Sequence, residues 1–257
     1  MILSVIISIG LPVGLCLVAH KRCGVQVVPL LLGVAGFVFF VLILEQSIHL
    51  IVFSRFALRE NPFLFVLYGI FMAGIFEETA RFISFHILKK KYRGISVGIS
   101  YGIGHGGSES ILIVGLSMIS TLTAAILINT GQLEIITGRL QGATLEQVNA
   151  QIHMLTTLPS YSFLAGGIER IFALGIHLSC SVLVFYAVYG TGKCWLYPLA
   201  ILLHAMVNIP AALMQAGIIK NMFLTELFVF LGALLTAMAA IYTHEKLKTE
   251  KSLTESV

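Results

Sequence analysis

The chain has no aspartate. All 12 of its acidic residues are glutamate, which excludes any mechanism that needs an aspartate dyad. Charge of either sign is scarce, at 11% of 257 residues, against about 25% in soluble domains. With 58% hydrophobic residues and a mean hydropathy of +0.96, too little polar surface remains to cover a water-soluble globule. A cytoplasmic enzyme, a disordered tail protein and a nucleic-acid binder are all disfavoured on that ground. The four cysteines, Cys16, Cys23, Cys180 and Cys194, show neither CxxC nor CxH spacing. They signal no zinc knuckle and no disulfide framework, and read as packing residues.

What is abundant is apolar sequence. Seven runs reach the roughly 20 residues needed to cross about 30 Å of hydrocarbon: approximately 2–19, 26–53, 62–88, 94–129, 160–190, 195–216 and 222–243. They predict one integral membrane domain over 1–257, an all-α polytopic transmembrane helix bundle of about seven spans. The run 94–129 holds a glycine-rich stretch from Gly94 to Gly107. It is open to three readings: one long tilted helix, a broken helix, or a re-entrant segment followed by a span. The first run has no preceding basic residue and no small-residue cleavage site, and reads as a retained helix.

Positively charged loops stay on the cytoplasmic side. With seven crossings, one face collects Lys21, Arg22, Lys89, Lys90, Lys91, Arg93, Lys193, Lys246, Lys248 and Lys251, and the other only Arg55, Arg59, Arg139 and Lys220. This puts the N-terminus outside and the C-terminus in the cytoplasm of a multi-pass cell-membrane protein. Residues 130–160 then form an extracytoplasmic loop, in which Leu140, Leu145, Val148, Ile152 and Leu155 predict a short amphipathic helix at the interface, structural or a lid. Residues 244–257 read as a polar, mobile cytoplasmic tail.

Ionisable side chains inside a span cost roughly 2.5 to 3.5 kcal/mol each on insertion scales, so they face a protein interior or a hydrated cavity. The third span carries Glu77, Glu78 and Arg81, the fourth Tyr101, His105 and Glu109, the fifth Glu169, Arg170 and His177, and the sixth His204 and Asn208. Counted from the Lys-rich helix ends, the glutamate pair and the three histidines all lie roughly 13 to 20 Å deep at 1.5 Å per residue. Residues three or four apart share a helix face. Arg81 can therefore pair with Glu77 or Glu78 and leave the other carboxylate free, while His177 with Ser181 and His204 with Asn208 form further one-face pairs.

A glutamate beside several histidines in a partly dehydrated cavity has two uses. The imidazoles can hold a divalent metal such as Zn²⁺ while the carboxylate takes a proton from the attacking water. Without metal, the carboxylate can act as general base while His and Asn stabilise an oxyanion. Both lead to hydrolysis of an acyl bond. HExxH and GxSG are missing, which disfavours a site-2-type zinc protease and a rhomboid.

The pattern resembles the superfamily of type II CAAX prenyl endopeptidases and bacteriocin-processing proteins, and within it most resembles the YhfC-type branch. Glu77, Glu78 and Arg81 match the Glu-Glu-plus-basic motif with one residue fewer before Arg. Tyr101 and His105 match the aromatic-to-His motif with Tyr for the commoner Phe, and His204 and Asn208 match the third motif. The resemblance covers a catalytic-like core of about 62–210. It implies an intramembrane metalloprotease in which Glu77 or Glu78 activates water, supported by His105, His204 and Asn208, with a membrane-bound or lipidated peptide as substrate. His105, His177, His204 and Glu109 are the candidate metal ligands, and Glu109 can alternatively cap the glycine-rich break. His177 with Ser181 is also similar to the paired membrane histidines of the gamma-secretase scaffold subunit.

Adjacent Glu169 and Arg170 read as pointing to different sides, each with its own partner, and Glu45, Gln46 and His49 as interface anchors. Two rival functions are a proton-coupled transporter, because Glu-His chains also relay protons, and a non-catalytic scaffold.

Overall fold

A computed structural model describes the backbone of residues 1–255 and the side chains of 1–249. It contains α1 (Ile2–Cys23), α2 (Val27–Arg55), α3 (Pro62–Leu88), α4 (Ser96–Asn129), α5 (Gly142–Thr157), α6 (Ser160–Tyr189), α7 (Leu196–Gln215) and α8 (Met222–Glu255), with single helical turns at Leu58–Glu60 and Glu134–Thr137. All but α5 are long and apolar enough to cross a bilayer. The protein is a multi-pass all-α bundle, and no strand occurs among the described residues.

Helix boundaries follow from local chemistry. Asn61 Oδ1 accepts the Leu64 amide at 3.2 Å, and Pro62 occupies the first turn of α3, where its missing N–H costs nothing. Asn221 Oδ1 accepts the Leu224 amide in the same way at the start of α8. Gly24, at φ 67°, ends α1 in the left-handed conformation that a side chain disfavours.

The glycine-rich segment neither breaks nor re-enters. It runs as regular helix to Glu109 and widens into a π-helical stretch at Ser110–Gly115 before continuing to Asn129. α2 contains a second such stretch, Phe37–Glu45. The glycines serve close approach. A methyl group on Gly104 would collide with the Leu30 carbonyl of α2, and one on Gly106 would come within 2.8 Å of the His177 Cβ on α6. Small residues at such crossings let helix backbones meet, which is how helices associate in lipid.

α6 is the central helix, packed by α1, α3, α4, α7 and α8. Around its C-terminal half lies the main core, in which Phe85, Val97, Tyr101, Leu183, Val184, Leu196 and Ala200 are buried. α5 buries no residue completely, but Leu145, Val148, Ile152 and Leu155 share its partly covered face, as an amphipathic helix requires. The segment from His244 to Glu255, expected as a mobile tail, continues α8 as helix.

Candidate metal centre

Glu77 and Glu78 lie midway along α3, where Asn61 and Pro62 set the helix start and the apolar turns on either side keep the segment in the bundle. Consecutive positions differ by about 100° around a helix, so the two carboxylates leave α3 in different directions and acquire different partners.

Glu77 is the hub. Its Oε2 lies 3.0 Å from His105 Nε2, 3.4 Å from His177 Nδ1 and 3.6 Å from Arg81 Nη2, and its Oε1 lies 3.7 Å from His204 Nε2. Three helices other than its own thus present an imidazole nitrogen to one carboxylate. Glu78 is fully buried. Its Oε1 accepts from Arg81 Nη1 and His204 Nδ1, both at 2.7 Å, while its Oε2 has no partner.

Arg81 ties the layer together. Besides Glu78 it reaches His177 Nδ1 at 2.7 Å and donates from Nε to Ser181 Oγ at 3.2 Å. On its other side, the His177 ring uses Nε2 to contact Glu109, whose second oxygen accepts from Arg170 Nη1 at 2.8 Å. Arg170 also pairs with Glu169. The adjacent Glu169 and Arg170 therefore do not turn to separate partners as the sequence implied. The arginine is long enough to fold back on its neighbour while reaching α4.

Burial fixes the imidazoles as firmly as the hydrogen bonds do. His105 is fully buried, stacked on Tyr101 at 5.8 Å between centroids and edge-on to Phe37 at 5.4 Å. The rings of His105 and His177 are 5.5 Å apart, and those of His177 and His204 are 5.8 Å apart. Tyr101 Oη is 3.5 Å from Ser84 Oγ.

A cavity of about 320 Å³ adjoins this layer, and Glu77, Glu109, His177, His204 and Asn208 line it. Asn208 stands one turn beyond His204 on the same face and joins the cavity wall, not the bonded network. His49 lines the cavity too, and Glu45 behind it is buried, 3.4 Å from His49 Nε2. The interface-anchor reading of Glu45 and His49 is thereby corrected. An anchor would sit at the headgroups, whereas these two turn inward.

The donor set fits a divalent cation. One ligand atom from each of Glu77, His105 and His177 lies within 4.8 Å of the others, and Glu78, Cys180 and His204 form a second such group. Ligands around a tetrahedral ion at about 2.0 to 2.1 Å stand about 3.3 Å apart, close to the Glu77-to-imidazole separations. Histidines that bind metal through one nitrogen have the other held by a carboxylate or another acceptor. Glu109 does this for His177 and Glu78 for His204. Charge agrees: Glu77, Glu78, Glu109 and Glu169 face only Arg81 and Arg170 in this network. Two formal negative charges remain for imidazole protons or a divalent ion to balance.

Cys180 packs with Ile176, Val207 and Val229, as its sequence context implies, and its thiol also stands beside Glu78 and His204. Three positions after His177, it shares that histidine's face, and this spacing was the available signal.

Such a fold and site define a multi-pass helical membrane protein that encloses a buried carboxylate–imidazole centre between spans. The chain belongs to the family described as YhfC intramembrane metalloprotease, whose model matches residues 7–229. It is 36% identical over 240 residues to the uncharacterized membrane protein YhfC of Bacillus subtilis (strain 168), with 91% of each chain covered. No solved structure matches.

Proposed function

We propose that the protein is an intramembrane metallopeptidase that hydrolyses a peptide bond of a membrane-bound or lipidated substrate, with Glu77 as the working carboxylate. The observation that carries this reading is the convergence of three imidazoles from α4, α6 and α7 on the Glu77 carboxylate beside a cavity.

A bound divalent metal such as Zn²⁺ would be held by His105 and His204 beside Glu77, with His177 as a third ligand once its Nδ1 exchanges Arg81 for the ion, and would supply Lewis-acid polarisation and a more acidic bound water. Glu77 lines the cavity and takes the proton of the attacking water. Glu78 is bonded to Arg81 and His204 and shut away from the cavity, so it orients those groups and leaves the base role to its neighbour. Arg81 holds both carboxylates in register. Glu109 fixes His177 from the other side, a positioning role that accounts for it better than direct ligation. Asn208, on the cavity wall, has an amide able to donate to the developing oxyanion.

The test combines metal analysis of the purified protein with cleavage of a quenched single-span reporter peptide in the same proteoliposomes. Glu77→Gln should lower cleavage by about 10² to 10⁴-fold, the range for a lost general base, and weaken metal retention less than the loss of an imidazole does. His204→Ala should lose both. Full cleavage by Glu77→Gln, or wild-type protein free of metal and inert on the reporter, would defeat the reading.

A further inference from the structure

The cavity is one-sided. Relative to the centre, its lining residues all step toward the same helix ends: Gly69 and Ala73 on α3, Ala173 on α6, and Ala211 and Gln215 on α7. Those ends are the ones that carry few Lys and Arg. A second cavity of about 330 Å³ shares Gln215 and continues the path to Arg59 and Pro62 at the start of α3. In the opposite direction from the centre there is close packing instead. Ser84, Phe85, Tyr101, Leu183, Val184 and Ala200 are all buried there, and glycines bring the backbones of α2, α4 and α6 into close contact.

We propose that water and substrate reach the centre only through the path that ends at Gln215 and Arg59, and that this path opens on the extracytoplasmic side. Resting on the peptidase reading, this defines the substrate class as membrane-associated peptides whose scissile bond is presented from outside the cell. Sidedness comes from the positive-inside distribution. Ten Lys and Arg lie at the sealed end of the bundle and four at the open end.

The experiment uses the full-length protein in cell membranes and reads thiol accessibility, so it does not depend on turnover. Native Cys194 and Cys23 are exposed at the Lys-rich end and serve as orientation markers. With Cys16, Cys23 and Cys194 replaced and the buried Cys180 kept as the unreactive background, one cysteine is added at Ala73, at Ala211, or at Ala200 as the sealed-side control. A charged, membrane-impermeant methanethiosulfonate is added to right-side-out or inverted vesicles. Ala73→Cys and Ala211→Cys should react at least tenfold faster from outside, and Gln215→Trp should slow both. Ala200→Cys should react from neither side, and the native markers only in inverted vesicles. Faster reaction of Ala73→Cys or Ala211→Cys from the cytoplasmic side, no reaction of either from any side in protein that elutes as a single species, or marker labelling from outside would overturn the proposal. In a parallel arm, the reporter is reconstituted with its labile segment on either face. Expected labelling with no cleavage in either orientation defeats the peptidase reading and leaves the path standing.

Discussion

The two halves of this bundle are made from the same seven spans and differ in which helices pack closely. Toward the Lys-rich ends, α2, α4 and α6 meet through glycines. A methyl group on Gly33, Gly98, Gly102 or Gly104 would press on a backbone or ring of the neighbouring helix. Toward the other ends α1 closely meets α6 at Gly167 and α4 at Gly115, while a methyl group on Gly69, Gly166 or Gly175 would meet nothing within 4 Å, and the stretches Gln46–Arg55 of α2 and Leu116–Asn129 of α4 bury no residue. The charged layer lies where the two regimes join. A rigid floor holds the imidazoles in place, and the half with few Lys and Arg holds the cavity beside them. Preorganised donors need this kind of support, because misplacement by an ångström at a reacting centre is costly.

The contrast breaks most completely at Gly104. Placing leucine there sets a side chain against the Leu30 carbonyl, where no flexible group can yield. The cost should exceed the 1–3 kcal/mol of ordinary overpacking, and Gly104→Leu should fail to give a single monodisperse peak in detergent. Arg81→Ala should follow. Its guanidinium is fully buried and serves Glu78, His177 and Ser181 together, and removing one partner of a buried ionic network costs about 3–5 kcal/mol. Thermal unfolding followed by size-exclusion chromatography should show the loss. Arg81→Lys restores the charge without the fork, and should recover only part of it.

Much of this was legible beforehand, for a physical reason. Membrane crossing imposes a length and a composition on each span, so six of the seven helices fall within a few residues of their expected limits, and α8 alone runs on, to Glu255. The cost of burying charge marks Glu77, Glu78, Arg81, His105, His177 and His204 as a shared layer, and the structure brings all six together. Partners across helices were less visible. Helical spacing gives faces, not the rotation of one helix against the next. The joint hold of Arg170 on Glu109 and Glu169, the place of Cys180 beside Glu78 and His204, and the inward turn of Glu45 all depend on that rotation. The continuity of α4 was also open. Glycines that weaken an isolated helix can strengthen a crossing, and only the fit against Leu30 and His177 decides between those effects.

The smallest expected effect is the sharpest test of the half that holds the cavity. Gly69 sits within α3, lines the cavity and has free space where a Cβ would stand. In water, replacing a mid-helix glycine by alanine gains about 0.5–1 kcal/mol from backbone entropy. In a bilayer the separated helix already has its backbone hydrogen bonds satisfied internally, since none can be left to lipid. The reference state therefore has less entropy to lose, and the gain should shrink to within about 0.5 kcal/mol of zero, the range of a substitution that touches nothing. Gly69→Ala should unfold within a degree or two of the parent in the same detergent. A destabilisation of 2 kcal/mol or more, on the order of an overpacked core, would mean that the half holding the cavity closes around α3 as tightly as the Lys-rich half closes around α4.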